Sequence, residues 1–193
     1  MIVTERFRLL FVCTANICRS PMAAELTRLK LQAAARPDTR HLEVSSSGIH
    51  GRDGAAMDPC AVAVLRSLGG HPIGFAARML RVPLLAEADL VLTAERRHRA
   101  AAVALCPRSH AKVFTILEFA RLVGDVDPAG LPEGGVVSRA RSLVREAARM
   151  RGVLPPGPVD DIADPYGRPA EDFRACAAAI EKALERPLRL ILT

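Results

Sequence analysis

Leu9-Leu10-Phe11-Val12-Cys13-Thr14-Ala15-Asn16-Ile17-Cys18-Arg19-Ser20-Pro21 is the stretch on which the reading of the fold turns. A short apolar run ends at a cysteine, and a tight loop follows. Ser20-Pro21 then suits the first turn of a helix. Cys13 and Arg19 bracket five residues, giving C-x5-R-S-P. Such a loop can wrap a tetrahedral oxyanion, because its N–H groups point inward and the next helix presents its positive end. A guanidinium can then grip two oxygens at once. The same potential favours the thiolate of a cysteine at the loop's floor. Asn16 suits a left-handed backbone position within the loop.

Working outward, residues 8–13 read as a buried strand, 20–36 as the following helix, and 42–46 as a second, shorter strand closed by Gly48. Strand, helix, strand is a βαβ unit, which predicts parallel strands and a right-handed crossover. Residues 48–56 are a glycine-rich loop, and Asp58-Pro59 starts a helix running through Leu68. A helical turn at 83–87, a third strand at 88–93, a helix at 94–105, a fourth strand at 112–115 and a helix at 116–123 continue the alternation. After an Asp/Gly/Pro-rich connection, residues 136–151 form an arginine-rich amphipathic helix that Pro155-Pro156-Gly157-Pro158 breaks. A last helix runs from Arg168 to about Glu185, with Pro187 and a short apolar tail behind it. The pattern predicts one α/β domain over 1–193, a three-layer fold with a four-stranded parallel sheet flanked by helices. In such sheets the ligand crevice lies at the carboxyl ends of the strands, where Cys13 stands.

Composition narrows the function. The chain has 193 residues, half of them hydrophobic, with 4% aromatics and no tryptophan, so Ala, Val, Leu and Ile build the core. A net charge of +6 comes from arginines scattered among acidic residues, without a compact basic run or interleaved aromatics, which argues against nucleic-acid binding. No apolar run is long enough to span a membrane, and residues 1–8 are too charged for an export signal. The five cysteines, Cys13, Cys18, Cys60, Cys106 and Cys176, are odd in number and widely spaced, which points to a cytoplasmic setting. None has structural-zinc spacing, and neither metal nor cofactor is called for. Nothing in the pattern specifies an oligomeric state.

Hydrolysis of a phosphate monoester also needs an acid for the leaving oxygen. Asp160-Asp161-Ile162-Ala163-Asp164-Pro165-Tyr166-Gly167 is a carboxylate-rich loop, within which Asp164-Pro165-Tyr166 reads either as a plain turn or as a side chain delivered over a pocket.

The loop string resembles that of the low-molecular-weight protein tyrosine phosphatases, with Asn16, Cys18, Arg19, Ser20 and Pro21 in register with Cys13. Asp164-Pro165-Tyr166 matches the family's late Asp-Pro-aromatic motif, and Ser46-Ser47-Gly48 and Met57-Asp58-Pro59 match further stretches. Residues 124–158 are the least familiar, an extended connection with an extra helix, for which a solvated spacer is the simple reading. The resemblance implies phosphotyrosine hydrolysis through a phosphocysteine, in phosphorylated proteins or small phosphomonoesters. Cys13 is then the nucleophile, Arg19 the clamp and Asp164 the general acid. Thr14, Ala15, Asn16, Ile17, Cys18, Arg19 and Ser20 are then the phosphate-binding residues, with Ser20 also donating to the thiolate. Cys18 is either a loop filler or a disulfide partner for Cys13 on oxidation.

Three departures stand out. Ala15 replaces the family's glycine, costing little if its φ is negative. Arg52, beside Asp53, replaces a cleft aromatic, facing Tyr166 as the opposite wall; Tyr166 packing on the last helix is the alternative. Phe75 stands where the family has a histidine bracing the loop asparagine, leaving Ser47 to bond Asn16. Ile17 resembles the tyrosine-specific members, whereas phosphoarginine-preferring ones carry a small polar residue there. The rival readings are an arsenate reductase-like thiol enzyme, for which Cys106 lacks a close partner, and a phosphate- or phosphoprotein-binding module with little turnover.

Overall fold

A computed structural model describes residues 5–153, 157 and 160–193. β1 (Phe7–Cys13) is central in a parallel sheet completed by β2 (Leu42–Gly48), β3 (Leu90–Thr93) and β4 (Val113–Thr115), in the order β2-β1-β3-β4. β1 reads as a continuous apolar run because both of its faces are covered. Phe7, Leu9 and Phe11 point into the larger core, with α1 (Arg19–Ala33), α2 (Pro59–Ser67), α5 (Ile116–Leu122), α6 (Val136–Met150) and α7 (Ala170–Leu192). Leu10 and Val12 point to the other face, onto α3 (Val82–Glu87) and α4 (Arg96–Leu105) through Leu85 and Ala102. The expected three-layer fold with a four-stranded parallel sheet is the observed one.

Boundaries move where local chemistry overrides periodicity. α1 stops at Ala33 rather than 36 because Ala35 turns left-handed (φ 49°) ahead of Pro37. β3 starts at Leu90 rather than 88, since Asp89 is occupied with both the backbone N–H and C=O of Arg8. The last helix corrects the expectation most. It continues through Pro187 to Leu192 instead of ending at about Glu185. A proline inside a helix costs about 3 kcal/mol. Burying Leu188, Leu190 and Ile191 returns more than that at about 1.5–3 kcal/mol each. The late carbonyls are also satisfied: Arg139 Nε donates to Leu190 O (2.9 Å) and Arg36 Nη1 to Leu192 O (2.6 Å).

α6 is no solvated spacer. Val136, Ala140, Leu143 and Ala147 form one buried stripe at helical spacing, continuous with the larger core. The proline-rich break at 155–158 lies outside the described residues apart from Gly157.

The parallel register sets Cys13 beside Gly48, the last residue of β2. A Cβ on Gly48 would lie 2.4 Å from the carbonyl oxygen of Thr14, so the loop after β1 closes against a bare backbone.

Candidate active site

The loop between Cys13 and Arg19 is held by its carbonyls. Cys13 O, Thr14 O, Ala15 O and Ile17 O accept from the N–H groups of Ile49, His50, Arg52 and Asp58. Among the described residues, no protein group accepts from the N–H groups of Thr14 through Cys18, which leaves those donors for an anion. Asn16 takes the left-handed conformation (φ 59°). Ala15 is not among the positive-φ residues, so its Cβ carries no backbone strain.

The fully buried Asn16 side chain braces this shape. Its Nδ2 donates to Ser20 Oγ and Ser46 Oγ, each at 2.9 Å, and its Oδ1 accepts from the Arg78 N–H at 3.0 Å. One sequence expectation is corrected here. Ser46, not Ser47, bonds Asn16, because successive strand residues face opposite ways and one step changes the partner. Ser47 instead offers its carbonyl to Ser20 Oγ at 3.2 Å. Phe75 takes no part in the brace: it packs partly buried against the core, and a backbone N–H completes Asn16's bonding.

Ser20 Oγ lies 3.0 Å from Cys13 Sγ. Since Asn16 already donates to it, Ser20 has one proton to place, on Ser47 O or on Cys13. A Cys13 thiolate is the stronger acceptor, so Ser20 donates its hydrogen bond to the sulfur.

Arg19 opens α1 and is 1% exposed. Its Nη1 donates to Glu95 and to Ile162 O (3.1 Å), and its Nη2 to Asp164 Oδ2 (2.5 Å) and Thr14 Oγ1 (3.4 Å). A buried guanidinium is tolerable only when so matched. Cys13, Thr14, Ala15, Ile17, Cys18, Arg19, Arg52, Asp164 and Tyr166 line one cavity of about 170 Å³. Tyr166, 54% exposed, stands at this cavity rather than packing into the core.

Glu95 and His98 belong to the site, and sequence reasoning missed both. Glu95 follows β3 on the Thr93-Ala94 turn, anchored where Ala94 N–H meets Val12 O and Ile162 N–H meets Ala94 O. Burial opposes its ionisation, but hydrogen bonds from Arg97 and Arg19 prevail and bring its pKa down to about 2. Its place at the carboxyl end of a strand was the available signal. His98, wholly buried on α4, has Nε2 2.9 Å from Thr14 Oγ1. Burial lowers its pKa to about 4, with Arg19 and Arg97 adding to the effect and Glu95 opposing it. Burial also raises the Cys18 thiol far above its ordinary range, and Asp58, Cys13 and Asp164 push the same way, so Cys18 stays protonated. Among the described residues no group of three or more His, Cys, Asp or Glu could hold a metal ion, and no helix is long and apolar enough to cross a membrane.

The sequence profile of low molecular weight phosphotyrosine protein phosphatases matches residues 8–133. A low molecular weight protein-tyrosine-phosphatase of Streptomyces coelicolor is 32% identical over 181 residues, covering 92% of this chain and 88% of the relative. A protein-arginine-phosphatase of Geobacillus stearothermophilus is 27% identical over 180 residues, 93% of each chain. Among solved structures, the low molecular weight protein tyrosine phosphatase of T. tengcongensis superposes with a TM-score of 0.69 at 29% identity, over 95% of this chain and 98% of the other.

Proposed function

The chain belongs to the low molecular weight phosphotyrosine protein phosphatase family and is a cysteine-dependent phosphatase, and we propose that it hydrolyses phosphotyrosine in proteins with Cys13, Arg19 and Asp164 as its reacting set. The observation that carries this reading is that Cys13, Arg19 and Asp164 line one cavity although they come from a strand end, a helix start and a distant loop. Cys13 attacks phosphorus as the thiolate, and the S–P bond forms as the ester P–O bond breaks. Protonated Asp164 gives its proton to the leaving phenolate. Arg19 holds two equatorial oxygens, and the N–H groups of Thr14 to Cys18 hold the others. Asp164 then takes a proton from water, whose oxygen displaces the Cys13 thiolate and releases phosphate.

The cleft walls support an aryl substrate. Tyr166 and Arg52 flank the cavity, where a phenyl ring can stack on either. Ile17 lines the same cavity and offers no hydroxyl. The similarity to protein-arginine-phosphatase makes phosphoarginine the second reading. We read residues 1–193 as one catalytic domain with α6 as an addition to its core. Five free thiols suit a cytoplasmic location.

Hydrolysis of p-nitrophenyl phosphate by the parent, Cys13→Ser and Asp164→Ala proteins tests the chemistry. Activity in the parent and almost none in Cys13→Ser is expected, and full activity in Cys13→Ser overturns the mechanism. Phosphotyrosine and phosphoarginine peptides compared by kcat/KM decide the substrate, with faster cleavage of phosphoarginine overturning the tyrosine reading.

A further inference from the structure

Behind the phosphate loop lies a second cleft of about 520 Å³, between α1, the edge strand β2 and residues 71–78. It shares no lining residue with the catalytic cavity. Arg78 lines the cleft, partly buried, and its Nε donates to Ser46 O at 2.8 Å. Among the described residues no carboxylate pairs with this guanidinium. Burial and the nearby Arg28 both work against its charge, yet arginine stays protonated at any ordinary pH.

Arg28 on the same wall is already matched. Its Nη1 donates to Glu25 at 3.0 Å and its Nη2 to Val44 O at 2.8 Å. With Arg28 and Glu25 cancelling, the cleft carries the uncompensated charge of Arg78. A monoanion neutralises it, whereas a dianion would leave the opposite excess. Among mostly polar lining residues, Met57, Phe75 and Ile73 supply the cleft's apolar surface, and Ile73 is 91% exposed.

We propose that this cleft binds a small apolar carboxylate, its carboxylate on the Arg78 guanidinium and its hydrocarbon body against Ile73, Phe75 and Met57. A planar carboxylate suits the two-pronged guanidinium. The site also touches the catalytic loop. Ser46 and the backbone of Arg78 bind the side chain of Asn16, so an occupied cleft steadies the brace of the phosphate loop.

Calorimetric titration of the full chain with phenylacetate tests this, using benzyl alcohol as the uncharged comparison and vanadate to fill the catalytic cavity. Saturable phenylacetate binding that persists with vanadate is expected, with none for benzyl alcohol. Arg78→Met should weaken it by about tenfold or more, the loss of one charge-assisted contact. Ile73→Ser, at an exposed position that folding does not need, should weaken it about threefold through lost apolar contact. If Arg78→Met fails to fold, Arg78→Lys takes its place and should also weaken binding. No saturable binding at millimolar phenylacetate, competition by vanadate, or unchanged affinity in the folded Arg78 variant overturns the proposal.

Discussion

Asp164 Oδ2 lies 2.5 Å from Arg19 Nη2, so the carboxyl proposed to protonate the leaving group rests on the guanidinium proposed to grip the phosphate. A phosphate dianion entering the cavity exchanges with that carboxylate on Nη2. Displacement would free Asp164 to take a proton from water and deliver it to the ester oxygen, while the rest of Arg19 stays anchored by Glu95 and Ile162 O. Asp164→Asn should therefore separate binding from turnover. We expect kcat for phenyl phosphate to fall by about 10²–10⁴-fold. Vanadate should inhibit the variant at least as tightly as the parent, because its competitor for Nη2 has lost its charge. Weaker vanadate inhibition would refute the exchange.

Glu95 holds the other edge of Arg19 from the end of β3. Glu95→Gln keeps the shape and removes the charge, leaving a buried guanidinium short of an anion. The variant should lose about 1.5–3 kcal/mol of unfolding free energy, the range for a hydrogen bond to a charged group. The pKa of Glu95, depressed from 4.5 to about 2, fixes its pH window. Its stabilisation is complete above 4.5 and lost as pH falls towards about 2, where the folded protein must take the proton. Urea unfolding at stepped acidic pH should show the parent losing this increment and the variant lacking it.

His98 shifts in the same direction, but here the folded protein favours the neutral form. Its folded pKa of about 4 lies below the ordinary 6.5, so the unfolded chain binds a proton that the folded one excludes. Stability is complete above 6.5 and falls as pH drops towards about 4, where the folded protein also accepts the proton. Between pH 7 and pH 5 the loss from this group is about 2 kcal/mol. His98→Gln should flatten that part of the profile, and an unchanged slope in the variant would assign it elsewhere.

Asn16 combines a left-handed backbone with a three-bond brace, and two substitutions take them apart. Asn16→Gly keeps the conformation and loses the bonds; Asn16→Ala loses both. Both should lower kcat/KM, while Asn16→Ala should be less stable than Asn16→Gly by about 1 kcal/mol, the cost of a left-handed alanine. Equal melting temperatures would remove the conformational part.

The parallel sheet and the phosphate loop were legible because their signals are contiguous: an apolar run, a cysteine, a polar turn and a helix start within one short stretch. That Asp164 lines the same cavity as Cys13 and Arg19 was legible only through the tripeptide around it. Glu95 and His98 were not, since neither sits in a local pattern and both reach Thr14 and Arg19 through pairing between β1 and β3. Ser46 and Ser47 show the finer difficulty. Adjacent identical residues on a strand differ only in the face they occupy, which register decides. Pro187 misled for a related reason, because a local breaker lost to the burial of side chains beyond it.

Gly48 extends this dependence to the loop itself. Its missing side chain is the mould against which Thr14, Ala15 and Asn16 are cast. Alanine at 48 changes none of the residues proposed to touch phosphate, yet it drives a methyl group into their backbone, and no flexible neighbour can yield. The catalytic loop can thus be inactivated from outside its own sequence, and a screen confined to Cys13 through Ser20 would overlook one of its most sensitive positions.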